Sequence, residues 1–242
     1  MVSAFSKSFF SIASRSITRT TVSKPACSIA IRPVSKPLIH RMPLVTINQS
    51  LRDSLKKHDI IPDVVNDFTP STMISVVYPD NKSVSLGNTL KPSETQDQPH
   101  LQITPEDADS SKTYTVVLTD PDAPSRDDHK WSEFCHWIVT DVKVASPDAV
   151  TAAANADTLG IDMSKATQVV EYMGPAPPEK TGKHRYVFLL YKGSGKRVEA
   201  PSERKKWGHA DSAERKGAKL WADKYGLELI GANFFYAQND KQ

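Results

Sequence analysis

Only two cysteines occur in the 242 residues, Cys27 and Cys135, so no framework of paired cysteines holds this chain together, and a reducing compartment is expected. The sequons Asn48-Gln-Ser50 and Asn81-Lys-Ser83 are then coincidences of composition. No run of 18 apolar residues is present to cross a bilayer. No Cys-x-x-Cys or His-x-Glu spacing points to a metal, and His136, His184 and Asp120 are the only weak candidates for one; no metal and no cofactor are expected. The Gly-x-Ser-x-Gly elbow of serine hydrolases is missing as well. Gly193-Ser-Gly-Lys196 imitates a phosphate loop, but Leu190 stands where its first glycine belongs and Arg197 replaces its Ser/Thr. It reads instead as a hairpin turn after Tyr191. An enzyme is not expected.

Carboxylates are absent until Asp53, while seven of the 31 Lys and Arg precede Met42. Phe5, Phe9 and Ile12 share one helical face in this Ser- and Arg-rich leader, and Ser6, Lys7, Ser8 and Ser11 interrupt any secretory apolar region. Residues 1–41 therefore read as a mitochondrial presequence or, more plainly, a disordered basic tail, with one domain at 42–242. Met42 offers a second start, giving a cytoplasmic form beside a mitochondrial one. Without the leader, 24 basic residues face 28 acids, a net charge of −4. Nucleic acid, which needs basic surface, is set aside.

Ile47, Leu51 and Leu55 fall four apart, which predicts a short amphipathic helix over Thr46–His58 that stops before Pro62. The preceding polar stretch, Pro43–Gln49, reads as flexible enough to reach into a partner. Alternating apolar residues then mark strands around Ile74–Tyr78, Val84–Leu86, Tyr114–Thr119, His136–Ile138, Val169–Tyr172 and Tyr186–Tyr191. Ala145–Thr167, Ala- and Asp-rich without aromatics, reads as a surface excursion. Ser212–Tyr225 predicts a helix capped by Gly226, and Leu227–Tyr236 a final strand. Strands at this spacing make a mainly β fold, an antiparallel β-sandwich with a few peripheral α-helices.

Two segments far apart in sequence carry the chemistry: Asp120-Pro-Asp-Ala-Pro-Ser-Arg126, and Gly174-Pro-Ala-Pro-Pro178 running on to His184-Arg-Tyr186. Pro121 and Pro124 fix φ and restrict their neighbours, so the turn after the Tyr114–Thr119 strand is stiff before any ligand arrives. His184 and Tyr186, two residues apart on a strand, share a face, and His136 lies on a second strand. Asp120 and Asp122 would favour imidazolium, whereas burial would oppose it. With Tyr186 and backbone N–H groups around Gly174 and Ala176, such histidines would grip a phosphate or carboxylate, and the carboxylates would receive an ammonium. Arg126 and Arg185 read as loop locks, pairing bidentately with the motif carboxylates. Cys135 is directed away from His136, across the strand.

These segments, with Trp131-Ser-Glu-Phe-Cys-His136, Glu171-Tyr-Met173, Thr181-Gly182 and the strand His184–Tyr191, resemble the two signatures of the phosphatidylethanolamine-binding protein family, over roughly Thr46–Gln238. The wording of Glu171–Pro178 and Asn233-Phe-Phe-Tyr236 is most similar to the family's fungal branch. The resemblance implies a β-sandwich with an anion or phospholipid-headgroup pocket of Asp120, Asp122, Trp131, His136, Gly174, Ala176, Pro178, His184 and Tyr186. Trp131 stands where many relatives have tyrosine. Inhibition of a serine carboxypeptidase of the carboxypeptidase Y type is implied by the fungal branch; kinase or GTPase-regulator partners and a signalling role are implied by the wider family. The alternative is a lipid-binding or mitochondrial structural protein that uses the same domain as a docking platform.

Overall fold

The structure, a computed structural model, describes residues 44–105, 112–144, 159–193, 197–207 and 216–242. Nine strands form one antiparallel sheet: β1 Thr72–Tyr78, β2 Lys82–Ser83, β3 His100–Pro105, β4 Tyr114–Asp120, β5 Phe134–Val144, β6 Leu159–Asp162, β7 Thr167–Val170, β8 Lys183–Lys192 and β9 Glu228–Gln238. Their order is β2-β1-β3-β6-β5-β4-β8-β9, with β7 added on β5. The sandwich arises because this sheet curls until its ends meet. Ser71 N–H donates to Ile230 O, and Asn233 Nδ2 donates to Ile74 O at 2.9 Å. Gly231 sits at that seam, where any Cβ would run into the Thr72 carbonyl. Asn233 is buried, yet both ends of its amide are used, its Oδ1 accepting from Leu86 N and Phe234 N. That is the condition under which a buried amide is tolerated.

Curling gives the sheet two apolar faces, and each has its own core. Inside the curl lie Ile74, Val76, Val116, Leu118, Trp137, Tyr186, Phe188 and Phe235. Against the outer face pack α1 (Leu44–Lys57), α2 (Ile60–Asp63) and α3 (Gly217–Tyr225) through Leu51, Leu55, Ile60, Ala218 and Trp221. All seven residues of β4 are buried, since this central strand is covered on both faces. Each fully buried aliphatic side chain contributes about 1.5–3 kcal/mol over its exposed state.

The helix predicted over Thr46–His58 is present as α1, with Leu51 and Leu55 on its buried stripe. It opens at Leu44, so most of the stretch expected to be flexible, Pro43–Gln49, is helical instead. The short α2 then runs through Pro62. α3 ends as expected: Gly226 takes the left-handed conformation, φ 65°, and its N–H closes on the last turn. Residues 208–215, where that helix was expected to begin, lie outside the described residues, as do the leader and most of the Gly193–Lys196 turn. Four strands differ from expectation. β2 is Lys82–Ser83, immediately before the strand expected at Val84–Leu86, which is not a strand. β3 was not anticipated, and β6 and β7 begin within the supposed excursion Ala145–Thr167. β6 is four residues long and joins β3 to β5 by two register pairs on each side.

Candidate functional site

The signature residues meet at one end of the curled sheet, where β4 ends and β5 and β8 begin. Asp120, the last residue of β4, is buried and its two oxygens are engaged from opposite sides. Oδ1 accepts from the Asp122 N–H at 2.7 Å and Oδ2 from His184 Nδ1 at 2.9 Å. The other ring nitrogen of His184, Nε2, lies 3.0 Å from Thr181 Oγ1, whose hydroxyl also donates to Pro178 O at 2.8 Å. Tyr186 stacks on His184, with centroids 6.5 Å apart, and meets His136 edge-on at 5.2 Å. The Ala176 N–H is directed at the Tyr186 hydroxyl.

His136 reaches this cluster through a β-bulge. Leu118 pairs with Trp137 but Thr119 pairs with Cys135, so His136 is the extra residue on β5. A bulge turns a side chain out of simple alternation, and here it places His136 on the pocket side beside Trp137 while Cys135 faces the helical core. Two segments brace the bulge. His136 O accepts from Met173 N, and Arg204 donates to Cys135 O, His136 O and Glu171 O at 3.0, 3.0 and 2.8 Å. His136 Nδ1 donates to the Met173 carbonyl at 2.8 Å. Burial lowers the His136 pKa, outweighing the pull of Asp120, and Arg204 and His184 push the same way. Of the two effects weighed from sequence, burial wins at His136.

Asp122 is fully buried, and both oxygens receive the Arg185 guanidinium, Nη2 to Oδ1 at 2.7 Å and Nε to Oδ2 at 3.0 Å. The Arg185 N–H adds a bond to Oδ2 at 2.8 Å. Burial disfavours the Arg185 charge, but bonds to Asp122 and Asp63 more than offset that and raise its pKa. Arg185 also donates to the Asp59 carbonyl at 2.8 Å, which ties the helical face to the site. Arg126 approaches the same carboxylate less closely, at 3.7 Å. The carboxylates expected to meet a ligand ammonium are therefore both engaged internally.

Gly174 is buried where its backbone passes Gln96, and a Cβ would come within 2.8 Å of the Gln96 Cα. Gln96 in turn donates to Pro175 O at 2.9 Å. Ala176 and Pro178 are exposed on the same loop. Trp131 is half-buried; its ring lies under the Lys205 ammonium at 4.2 Å and the Lys130 ammonium at 5.6 Å. Its carbonyl accepts from Lys206 N–H. The Cys135 thiol is buried and pushed up to about 12, chiefly by burial, which disfavours thiolate chemistry. A cavity of about 800 Å³, lined by Thr115, Thr140, Asp141 and Arg197 among others, opens where β4 begins and includes none of the signature residues. Sequence reasoning does not anticipate the supporting roles of Thr181, Arg204 and Gln96; Thr181 lies within a signature segment, and nothing local marks the other two.

The model of the family described as phosphatidylethanolamine-binding protein matches residues 80–235, which contain both signatures. The chain belongs to the phosphatidylethanolamine-binding protein family. Across 214 residues it is 36% identical to the carboxypeptidase Y inhibitor of Saccharomyces cerevisiae, covering 78% of this chain and 95% of that protein. CEN-like protein 1 of Nicotiana tabacum is 36% identical over 143 residues, 59% of this chain and 71% of that one. Among solved structures, the carboxypeptidase Y inhibitor complexed with its cognate proteinase matches with a TM-score of 0.70 at 36% identity, covering 80% of this chain and 97% of that chain. Like other members, this chain builds its mainly β fold from the curled sheet described above. No helix among the described residues is long and apolar enough to cross a membrane.

Proposed function

We propose that this family member inhibits a serine carboxypeptidase of the carboxypeptidase Y type and carries, separately, an anion pocket formed by His136, Tyr186 and the 174–178 loop around the Asp120–His184 pair. The observation that carries the inhibitor reading is the extent of the likeness: 36% identity spanning 95% of the yeast inhibitor. The pocket reading is supported by the convergence of three strand ends on one bonded cluster, each member oriented by a second group.

A serine carboxypeptidase keeps its nucleophile in a recess, so a globular inhibitor needs a protruding segment to reach it. Because α1 is already helical from Leu44, the reach falls to residues preceding it. In the form beginning at Met42 these are two residues, Met42 and Pro43. Purified carboxypeptidase Y titrated with Met42–Gln242, with Ser50–Gln242 and with the full chain is expected to be strongly inhibited only by the first. The Ser50 form retains Leu51 and Leu55, which dock α1, and a thermal melt verifies that it is folded. Equal potency of all three would refute the N-terminal route while sparing the inhibitor reading. Absence of inhibition by any of them would remove that reading.

A further inference from the structure

A groove of about 570 Å³ lies between the 200–206 segment and α3, and none of the signature residues lines it. Its floor is apolar, formed by Leu220, Trp221 and Tyr225, whereas exposed Lys205 and Lys206 stand on one wall and exposed Lys224 on the other. Two of these lysines rest on aromatic faces. Lys205 Nζ lies 4.2 Å from the centre of the Trp131 ring and Lys224 Nζ 5.1 Å from that of Tyr225. A ring orients an ammonium without neutralising it, and no carboxylate among the described residues is paired with any of the three. Of the described residues lining the groove only Glu203 is acidic, so three lysines against one glutamate leave +2 in a domain of net charge −4. The walls are also fixed in place. Cys135 N–H donates to Arg204 O at 2.7 Å, Lys206 N–H to Trp131 O at 3.1 Å, and the Trp221 indole N–H crosses from α3 to Glu199 O at 3.0 Å. Lys206 itself is held at φ 50°, a left-handed conformation that a lysine adopts only where its surroundings impose it.

We propose that this groove docks an acidic segment of a partner protein, an apolar side chain entering between the walls while carboxylates on either side of it meet Lys205 or Lys206 and Lys224. An apolar centre inside a charged rim is the usual anatomy of a protein contact, with the centre supplying affinity and the rim steering the encounter. The chemistry of the rim favours carboxylates over phosphates. Every cation on it is a lysine, a point charge without the planar fork that grips a phosphate with two parallel bonds. Arg204, the arginine of this segment, commits its guanidinium to the Cys135, His136 and Glu171 carbonyls. Shape and net charge decide against the other polyanions. A cleft between two backbone segments admits a side chain but not the broad plane of a bilayer, and a domain of net charge −4 repels nucleic acid outside this one patch. Because the walls are braced before a partner arrives, little ordering is lost on docking.

The probe is the blocked peptide Glu-Glu-Leu-Phe-Glu-Glu, titrated by calorimetry into the full chain. Binding is expected to weaken as salt rises, because rim charges are screened. Replacing all four glutamates of the peptide by glutamine, or its Leu-Phe by Ala-Ala, is expected to cost about tenfold each, the first through the rim and the second through the floor. Lys206→Glu combined with Lys224→Glu is expected to weaken the original peptide by about tenfold or more, whereas Lys143→Glu with Lys165→Glu, an equal change of net charge at exposed positions outside the groove, shifts it by less than about twofold. All four lysines are exposed, and matching thermal melts verify that both variants fold. Several results would overturn the proposal: no binding of the acidic peptide, equal binding of the glutamine or Ala-Ala peptide, or equal losses in the two double variants. Vesicles of phosphatidylcholine and phosphatidylserine form the last arm. Sedimentation of the chain with them, abolished by Lys206→Glu with Lys224→Glu while the peptide fails to bind, would assign the patch to a membrane surface and overturn the proposal as well.

Discussion

Arg185→Met is expected to lower the free energy of unfolding by about 3–5 kcal/mol, read as a fall in the urea midpoint with an unchanged slope. Asp122 has no solvent-exposed surface, and its two oxygens rely on the Arg185 guanidinium. Removing the cation strands a carboxylate in the core, a larger loss than the bonds themselves because the remaining charge cannot regain its hydration. A domain of this size is stable by about 5–15 kcal/mol, so the variant stands near the limit of folding. The double replacement Asp122→Asn, Arg185→Met keeps an amide for the Arg185 N–H without the charge. It is expected to recover most of the loss. A single variant within about 1 kcal/mol of wild type, or a double variant less stable than the single, would refute the assignment of this pair as the lock that joins the signature loop to the helical face.

Much of this site was legible because its residues lie where local chemistry is strongest. The Pro-locked turn after β4 and the paired His184 and Tyr186 follow from ring constraints and strand alternation, and Arg185 as the partner of a motif carboxylate followed from guanidinium geometry. The titration of His136 did not follow. Its outcome depends on how deeply the ring is buried and on Arg204, 68 residues away in sequence, and neither has a local signature. The bulge that turns His136 toward Tyr186 is equally silent, since Phe134 to Ile138 reads as an ordinary strand whether or not one residue is extra. β3 was missed because only two apolar residues, Leu101 and Ile103, mark its alternation before Pro105 ends the run. β6 was missed because Leu-Gly-Ile-Asp is too short to stand out; its pairing to β3 and β5 decides its structure, and tertiary pairing routinely overrides propensity at that length.

Glu133→Gln is expected to stabilise the protein, and by an amount that grows with pH. Glu133 is completely buried, with Oε2 accepting from Thr119 Oγ1 at 2.7 Å and from the Ala218 N–H at the start of α3, 3.4 Å away. Thr119 Oγ1 also receives the Trp207 indole N–H at 3.1 Å, so one carboxyl links sheet, helix and the 204–207 segment. Its other oxygen, Oε1, is buried without a partner among the described residues, as is the hydroxyl of Tyr191, whose own ionisation Glu133 disfavours. Burial pushes the Glu133 pKa up from 4.5 to about 8. The sign follows from proton counting: between pH 4.5 and about 8 the folded protein holds a proton that the unfolded chain has released, so stability falls as pH rises through this range. Below pH 4.5 both states are protonated and the carboxyl costs nothing. Above about 8 the full penalty is present, on the order of 5 kcal/mol, because each tenfold change in the protonation equilibrium is worth about 1.4 kcal/mol. Glutamine mimics the protonated acid at every pH, retaining an acceptor for Thr119 and placing an N–H group where Oε1 lies. Unfolding free energies of the two proteins should therefore coincide near pH 4.5 and diverge steadily toward pH 8, wild type becoming the weaker, and taking the difference cancels every other titrating group. Parallel pH profiles would show that Glu133 is ionised in the native state throughout, and a less stable glutamine variant at pH 8 would show that its charge is what holds α3 to the sheet.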